Sequence, residues 1–362
     1  MLTFTFWQLA LHADESERAS RWLAYRRWIQ ITLLATVAFW WALWDLQRLS
    51  GPIETLALRL DWIDPLLAKM LLYWLPPVGV VFAVHWIVYS LSNGILGRRW
   101  KLGDRMRIVF WRTISPTVVL LFVTTGFDAI YGRRLTGVVW LVIAGAIAMV
   151  GAVRLRSAEG LKLQRVKSGE LYKRAFVLAR EMGTALKRVY VVPSGRGHLT
   201  NAYGLGQSIA VTDNYGKFLK RAQLDFVIGH ELAHVKQKHG RKKLLITVTV
   251  YASAALACFV MAPSVPYRPF VDILAVFAPV LMLNFFSRHF EYASDRASVE
   301  LTDDPQAAIH ALNNLYDFAQ APKRCGRLTE LFLTHPALTR RVLAIGESAQ
   351  LPLRTVLDLI SD

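Results

Sequence analysis

The segment His230-Glu231-Leu232-Ala233-His234 sets two imidazoles four residues apart, with a carboxylate beside the first. On a helix of 3.6 residues per turn, positions i and i+4 differ by about 40°, so both rings reach one metal ion. A Glu next to the first ring then meets a water held by that metal. Zinc suits such a site, because it is redox-silent, takes three protein ligands and keeps a fourth position for water. Its Lewis acidity brings that water's pKa to about 7 in known cases. Glu231 would take a proton there and pass it to the leaving amine. The His and Glu content of the chain predicts roughly 0.007 accidental occurrences of this pattern. The bland alternative is a surface helix with two incidental histidines. Leu224-Asp225-Phe226-Val227-Ile228-Gly229, just before the motif, reads instead as a helix entering a core.

A third ligand has two candidates. One is His239 on the same segment. It lies five residues after His234 rather than six, and Gln237 stands where the three-histidine pattern has Gly. His239 is therefore expected to face solvent or lipid headgroups. The better candidate is Glu291, in Arg288-His289-Phe290-Glu291-Tyr292-Ala293-Ser294-Asp295. Glu291 and Asp295 are again four apart and share a helix face. Glu291 can bind zinc while Asp295 accepts a hydrogen bond from a ligating imidazole, which fixes its tautomer. Taken alone, this stretch would be an exposed acidic face; the first motif changes that reading.

The elements that must carry these residues are legible in outline. Residues 155–243 and 287–362 are polar enough to fold in water. Ser168 to Met182 is expected to be a helix capped by Ser168, with Gly183 after its end. Arg188 to Pro193 and Ser208 to Thr212 are strand candidates. Lys220 to His239 has helical periodicity and is expected to run through Lys236 and Arg241 into an apolar span from Leu244. Another helix should start at Pro305, with Asp304 as cap.

Composition places this domain at a membrane. Of 362 residues, 54% are hydrophobic and 19% charged, against about 25% charged in average soluble chains. This excludes intrinsic disorder. Two cysteines, Cys258 and Cys325, exclude a disulfide scaffold. The net charge of +17 fits nucleic-acid binding or cytoplasmic loops of a membrane protein. The basic residues flank apolar runs, as in Arg98-Arg99-Trp100-Lys101 and Arg241-Lys242-Lys243, so topology is the better reading and no nucleic-acid partner is expected. Six runs approach the roughly 20 residues that a bilayer requires: 28–44, 70–97, 113–127, 135–153, 244–262 and 270–286. Charge bias puts both termini and the region after Val153 in the cytoplasm. The start, with Asp14, Glu15 and Glu17, does not read as a secretory signal.

These motifs resemble the HtpX and CAAX prenyl protease family of membrane zinc metallopeptidases. The resemblance rests on His230-Glu231-Leu232-Ala233-His234 and on Glu291-Tyr292-Ala293-Ser294-Asp295. It also rests on Thr334-His335-Pro336 with Arg341, and on Asn201-Ala202-Tyr203. Ser294 departs from the family's usual Ala. The resemblance implies that Asn201, Ala202 and Tyr203 form an edge strand to which an extended substrate adds. It implies that His335 stabilises the oxyanion or controls access, and that Arg341 anchors its segment by an ion pair. Tyr203 and Tyr292 are further oxyanion donors to consider.

The expected protein is an α-helical integral membrane protein of about six spans. It carries a cytoplasmic, mainly α-helical zincin-like metalloprotease domain with a small β-sheet. Residues 1–154 form the membrane region and 155–362 the protease domain, interrupted by the last two spans. It binds one Zn2+ per chain and cleaves membrane-associated polypeptides, the bilayer being its other partner. The default location is a bacterial inner membrane. Competing readings are a processing peptidase for lipidated C-termini, a silent scaffold and a transporter.

Overall fold

The computed structural model describes residues 163–193, 202–204, 206–261, 268–318, 323–331 and 333–361. It also describes 122–127, 129–158 and isolated positions between 55 and 119. Elements are numbered from the first helix described in full. The chain divides into two compact units, residues 1–160 with 252–277, and residues 161–251 with 278–362.

In the first unit, α1 (Thr136–Ala158) follows a turn in which Arg133 adopts a φ of 57°. A Cβ on Gly137 would fall 2.5 Å from the Gly126 carbonyl, so glycine permits the close approach of the two helical segments. Val138, Val142 and Met149 on α1 are exposed. This helix overlaps the expected span 135–153, but its apolar stretch, Thr136–Val150, is shorter than a membrane crossing requires. The run 28–44 lies wholly outside the described residues, 70–97 mostly so, and 113–127 in part.

The second unit holds a four-stranded sheet in the order β1-β2-β4-β3. Its strands are β1 (Gln164–Val166), β2 (Arg188–Val192), β3 (Ala202–Gly204) and β4 (Ser208–Thr212). β2 and β4 run parallel, with Val189 opposite Ile209. β3 is the edge strand and pairs antiparallel with β4, Tyr203 opposite Ala210. Between β1 and β2 lies α2 (Glu170–Glu181). Its N-cap is Gly169 at φ 97°, not the expected Ser168, because only glycine takes that backbone conformation without strain. After α3 (Tyr215–Phe218) comes α4 (Arg221–Lys236), where the Gln223 side chain accepts the Lys220 N–H at 2.9 Å.

α4 is buried on two sides. Toward the sheet and α2, Ile228, Leu232 and Ala233 pack with Leu178, Val189 and Ile209. On its other side, Phe226 and Val227 pack with α7 (Pro305–Phe318), α9 (Leu338–Ser348) and α10 (Leu353–Ser361) through Ile309, Leu312, Leu338, Val342 and Val356. Each fully buried Leu, Ile or Phe contributes about 1.5–3 kcal/mol. The expected cap of α7 is present, the Asp304 carboxylate accepting the Ala307 N–H at 2.8 Å.

The expected continuous helix through Arg241 is instead broken. α4 stops at Lys236, Lys238 takes a φ of 53°, and a new helix, α5 (His239–Met261), begins at once. The left-handed residue turns the chain, so the two helices are not collinear. The stretch His239–Val260 is the one helix among the described residues long and apolar enough to cross a membrane. It starts five residues before the expected boundary at Leu244. The other expected span of this half, 270–286, falls within α6 (Arg268–Thr302). A short α8 (Arg327–Glu330) precedes the loop that leads to His335.

Candidate metal centre

Two helices build the site. α4 carries His230, Glu231 and His234; α6 carries Glu291 and Asp295. They approach closely because residue 229 is glycine. A Cβ there would lie 2.5 Å from Ser298 Oγ, and that hydroxyl donates to the Phe226 carbonyl at 2.6 Å. The contact fixes α6 one residue before the first histidine.

Nε2 of His230 and Nε2 of His234 are 3.1 Å apart. Glu291 Oε2 lies 3.5 Å from His230 Nε2, and Glu291 Oε1 lies 3.4 Å from His234 Nε2. The ligand atoms of these three residues all lie within 4.8 Å of one another. A tetrahedral zinc with bonds of about 2.0–2.1 Å sets its donors roughly 3.3 Å apart, so the spacing fits that ion.

The far side of each ring fixes its tautomer. His230 Nδ1–H donates to Asp295 Oδ1 at 2.8 Å. Asp295 in turn receives Arg341 in bidentate fashion, Nε to Oδ2 at 2.8 Å and Nη2 to Oδ1 at 2.6 Å. His234 Nδ1–H donates to His239 Nδ1 at 2.7 Å, and His239 Nε2–H donates to Gln237 Oε1 at 2.9 Å. This is the one arrangement of protons that serves both contacts of His239. With Nδ1 so engaged, Nε2 of each ligating ring is the nitrogen left to face the Glu291 carboxylate, where a bound cation would take the place of its proton.

His239 is thus buried, not on a solvent-facing surface. It stacks on Phe290 at 4.3 Å between ring centroids, and Ser294 Oγ lies 3.5 Å from its Nδ1. The expectation failed because it assumed one straight helix; the turn at Lys238 folds His239 back onto His234. That His239 lies in reach of His234 has a weak sequence signal, a second histidine at the foot of an apolar helix.

Burial alone would raise the carboxyl pKa of Glu291, but hydrogen bonds from His230, His234 and His335 hold it well below the usual range. Asp295 is likewise lowered; burial opposes its charge, and the Arg341 guanidinium outweighs it. Burial works against a charged His230 as well, yet Asp295 and Glu291 raise it to about 10. The two carboxylates therefore stay ionised around the rings, giving a pocket that attracts positive charge.

The remaining expected residues are placed as follows. Glu231 is buried on α4, and β3 passes beside it. A Cβ on Gly204 would lie 3.3 Å from the Glu231 carbonyl, 3.4 Å from His234 Cβ and 3.5 Å from Glu231 Oε2. Ala202 and Tyr203 lie in that strand, while Asn201 lies outside the described residues. His335 Nδ1 sits 2.9 Å from Glu291 Oε2, with 61% of its side chain exposed. Tyr292 follows Glu291 on α6. It lines a cavity of about 370 Å³ with Asp295, Arg296, Arg340 and Glu347. Sequence reasoning also missed the supports of the His335 loop. The buried Glu330 carboxylate accepts the Ala337 N–H at 3.0 Å and pairs with Arg340.

Residues 166–349, just over half of the chain, match peptidase family M48. The chain belongs to that family. An M48 assignment agrees with the resemblance to HtpX and CAAX proteases read from the motifs, and it makes the chain a member of a membrane metalloprotease family. A protease HtpX homolog of Polynucleobacter necessarius is 24% identical over 279 residues, covering 65% of this chain and 96% of the relative. One from Ralstonia nicotianae is 27% identical over 230 residues, covering 54% and 79%. The crystal structure of S. mikatae Ste24p shares the fold, with a TM-score of 0.53 and 17% identity over 86% of this chain and 85% of that one.

Proposed function

We propose that this M48 chain is a membrane-bound, zinc-dependent endopeptidase that cleaves membrane-associated polypeptides near the cytoplasmic membrane face, in the manner of protein quality control. The observation that carries the reading is the convergence of three donors, from His230, His234 and Glu291, beside a buried Glu231 and an edge strand. These three residues would hold one Zn2+ per chain, which when bound supplies Lewis acidity to the scissile carbonyl and to water.

The rest of the work belongs to the chain. Asp295 and His239 hold the two rings with Nε2 inward. An extended polypeptide adds to β3 along Ala202 and Tyr203, with Asn201 just before them, and so lies across Glu231. Glu231 accepts the proton of the attacking water and returns it to the leaving nitrogen. His335, exposed above Glu291, takes the oxyanion side of the carbonyl. Arg341 acts through Asp295 and does not meet substrate. The cytoplasmic placement follows from Arg241, Lys242 and Lys243 at the start of α5, by the excess of positive charge in cytoplasmic loops. The domain division at about residue 155 belongs to the same proposal, and so does a bacterial inner membrane as the location.

Zinc content and casein cleavage of purified wild type and Glu231→Gln test this. Zinc in both proteins with proteolysis in wild type alone is expected. Equal cleavage by the two removes Glu231 as base, and no cleavage by either favours a silent scaffold. Preference for a prenylated peptide over casein moves the reading to the CAAX-type branch.

A further inference from the structure

Between α8 and His335 the sequence carries no charge at residues 331–334. Leu331 and Leu333 are 42% and 37% exposed. Their depth along the neighbouring helices can be read from contacts. α5 and α6 are level where His239 stacks on Phe290 and where Lys242 Nζ lies 5.9 Å from the Phe290 ring centroid. Lys242 and Lys243 on α5 and Arg288 on α6 thus mark a basic level. Past it, the exposed large apolar side chains include Leu244, Leu245 and Val248 on α5, and Phe285 and Met282 on α6.

The loop reaches past that level. Arg288 donates to the carbonyls of Glu330 at 2.7 Å and Leu333 at 2.8 Å. Asn284, one helical turn further toward the apolar end, donates to the Leu331 carbonyl at 3.2 Å. Leu331 therefore lies level with the first apolar turn of α6. Backbone without helical hydrogen bonding is tolerated in an apolar layer only if its polar groups are satisfied by protein. That is what Arg288 and Asn284 do for the carbonyls of Glu330, Leu331 and Leu333.

We infer that Leu331 and Leu333 dip into the headgroup and acyl boundary of the bilayer, as a third lipid contact beside α5 and α6, and so fix the height of His335 above the membrane. This rests on the reading of α5 as a membrane span. Continuity with the exposed apolar face of α5 and α6 names the occupant as lipid rather than a protein partner, and the loop's lack of charge agrees. His335 follows Leu333 by two residues and touches Glu291, so the loop ties the proposed catalytic centre to the membrane surface without a covalent span of its own.

The test uses the full chain with Cys258→Ala and Cys325→Ser, reconstituted in phosphatidylcholine and phosphatidylglycerol nanodiscs. An environment-sensitive fluorophore is attached at Leu333→Cys, at Val248→Cys on α5 and at Val177→Cys on α2. Lipids spin-labelled near the headgroup end of the acyl chain serve as quencher. Several-fold stronger quenching at 333 than at 177, with strong quenching at 248, is expected. Quenching at 248 but not at 333 overturns this inference and leaves the span intact. No quenching at 248 overturns both. Leu331→Cys repeats the measurement if the label at 333 disturbs folding, with the same expected and contrary results. None of these readings depends on proteolysis, so they stand apart from the test of the enzyme.

Discussion

The two ligating imidazoles are held by different chemistries. Behind His230 stands an ionic chain, Asp295 and then Arg341, both buried. Behind His234 stands a neutral one, His239 and then Gln237. Both chains do the same geometric work, presenting Nε2 to Glu291. They differ in what their loss leaves behind. A broken ionic chain leaves a buried charge without its partner, whereas a broken neutral chain leaves one unmet hydrogen bond. The difference has a structural origin. Asp295 comes from α6 and is met by Arg341 of α9, so it joins three elements. His239 comes from the same stretch of chain as its histidine, brought back by a two-residue turn.

The contrast breaks most visibly at Asp295. Asp295→Ala strips His230 of its acceptor and leaves the Arg341 guanidinium buried beside Glu291, 3.8 Å away. The expected cost is about 3–5 kcal/mol of stability, the usual loss when one partner of a buried pair is removed. Zinc affinity should fall about 10–100-fold, as when the outer partner of a ligating histidine is lost. Thermal unfolding and chelator competition measure the two. Adding Arg341→Met to Asp295→Ala should recover part of the stability but none of the zinc affinity. If the double variant recovers neither, an unpaired charge is not the cause.

Protons sharpen the same comparison. His230 is raised to about 10 by its carboxylates, above the about 6.5 of an unfolded histidine. A group raised in the folded state contributes stability that is full below its unfolded pKa and is lost as pH rises through its folded one. Chelator-treated protein should therefore lose stability from about pH 6.5 toward 10. Zinc-loaded protein should not, because the metal displaces that proton and binding strengthens with pH. Asp295 is lowered, so its contribution is present above the ordinary carboxylate range and disappears as pH falls below it. Unfolding curves across pH with and without chelator show both limbs. A flat alkaline limb in chelator contradicts a charged His230.

The packing that joins the two chains is the next target. Gly229→Ala puts a methyl group on Ser298 Oγ and separates α4 from α6. Overpacking of this kind costs about 1–3 kcal/mol. A displacement of Glu291 relative to the rings should lower zinc affinity as well. Gly229→Ala with Ser298→Gly should restore both, as seen by thermal unfolding and metal competition. Restored stability without restored zinc binding means the crossing holds the fold but does not set the ligand positions.

What the residues disclosed in advance follows the same division. The ionic half of the site was legible. Four-residue spacing of His230 and His234, and again of Glu291 and Asp295, fixes shared faces by helix geometry alone, and the motif match extends this to Arg341. The neutral half was not. Gln237 and Lys238 carry no Gly, Pro or Asn to mark a turn, and Lys238 adopts φ 53° through its context. With one straight helix assumed, His239 pointed away. For the same reason Ser168 looked like a cap, since Gly169 offers no side chain to signal its role. The two strand candidates were found from β-branched residues. Their parallel pairing, and β3 inserted at the edge beside β4, depend on long-range register that short strands do not encode locally.

The mildest break is His239→Ala. It removes the acceptor of the His234 Nδ1–H but strands no charge, since Gln237 returns to the water-accessible end of α4. Stability should change by about 1 kcal/mol, the scale of one buried hydrogen bond and some lost packing on Phe290. Zinc affinity should fall about tenfold, at the low end of the range for outer partners of a ligand. His239→Gln restores a side-chain oxygen near His234 and should recover most of the affinity, whereas His239→Phe keeps the stack on Phe290 and should not. Competition against a zinc chelator separates these cases. If the Phe variant binds zinc as well as wild type, ring packing rather than the hydrogen bond orients His234, and the two supports of the site differ in kind and not only in charge.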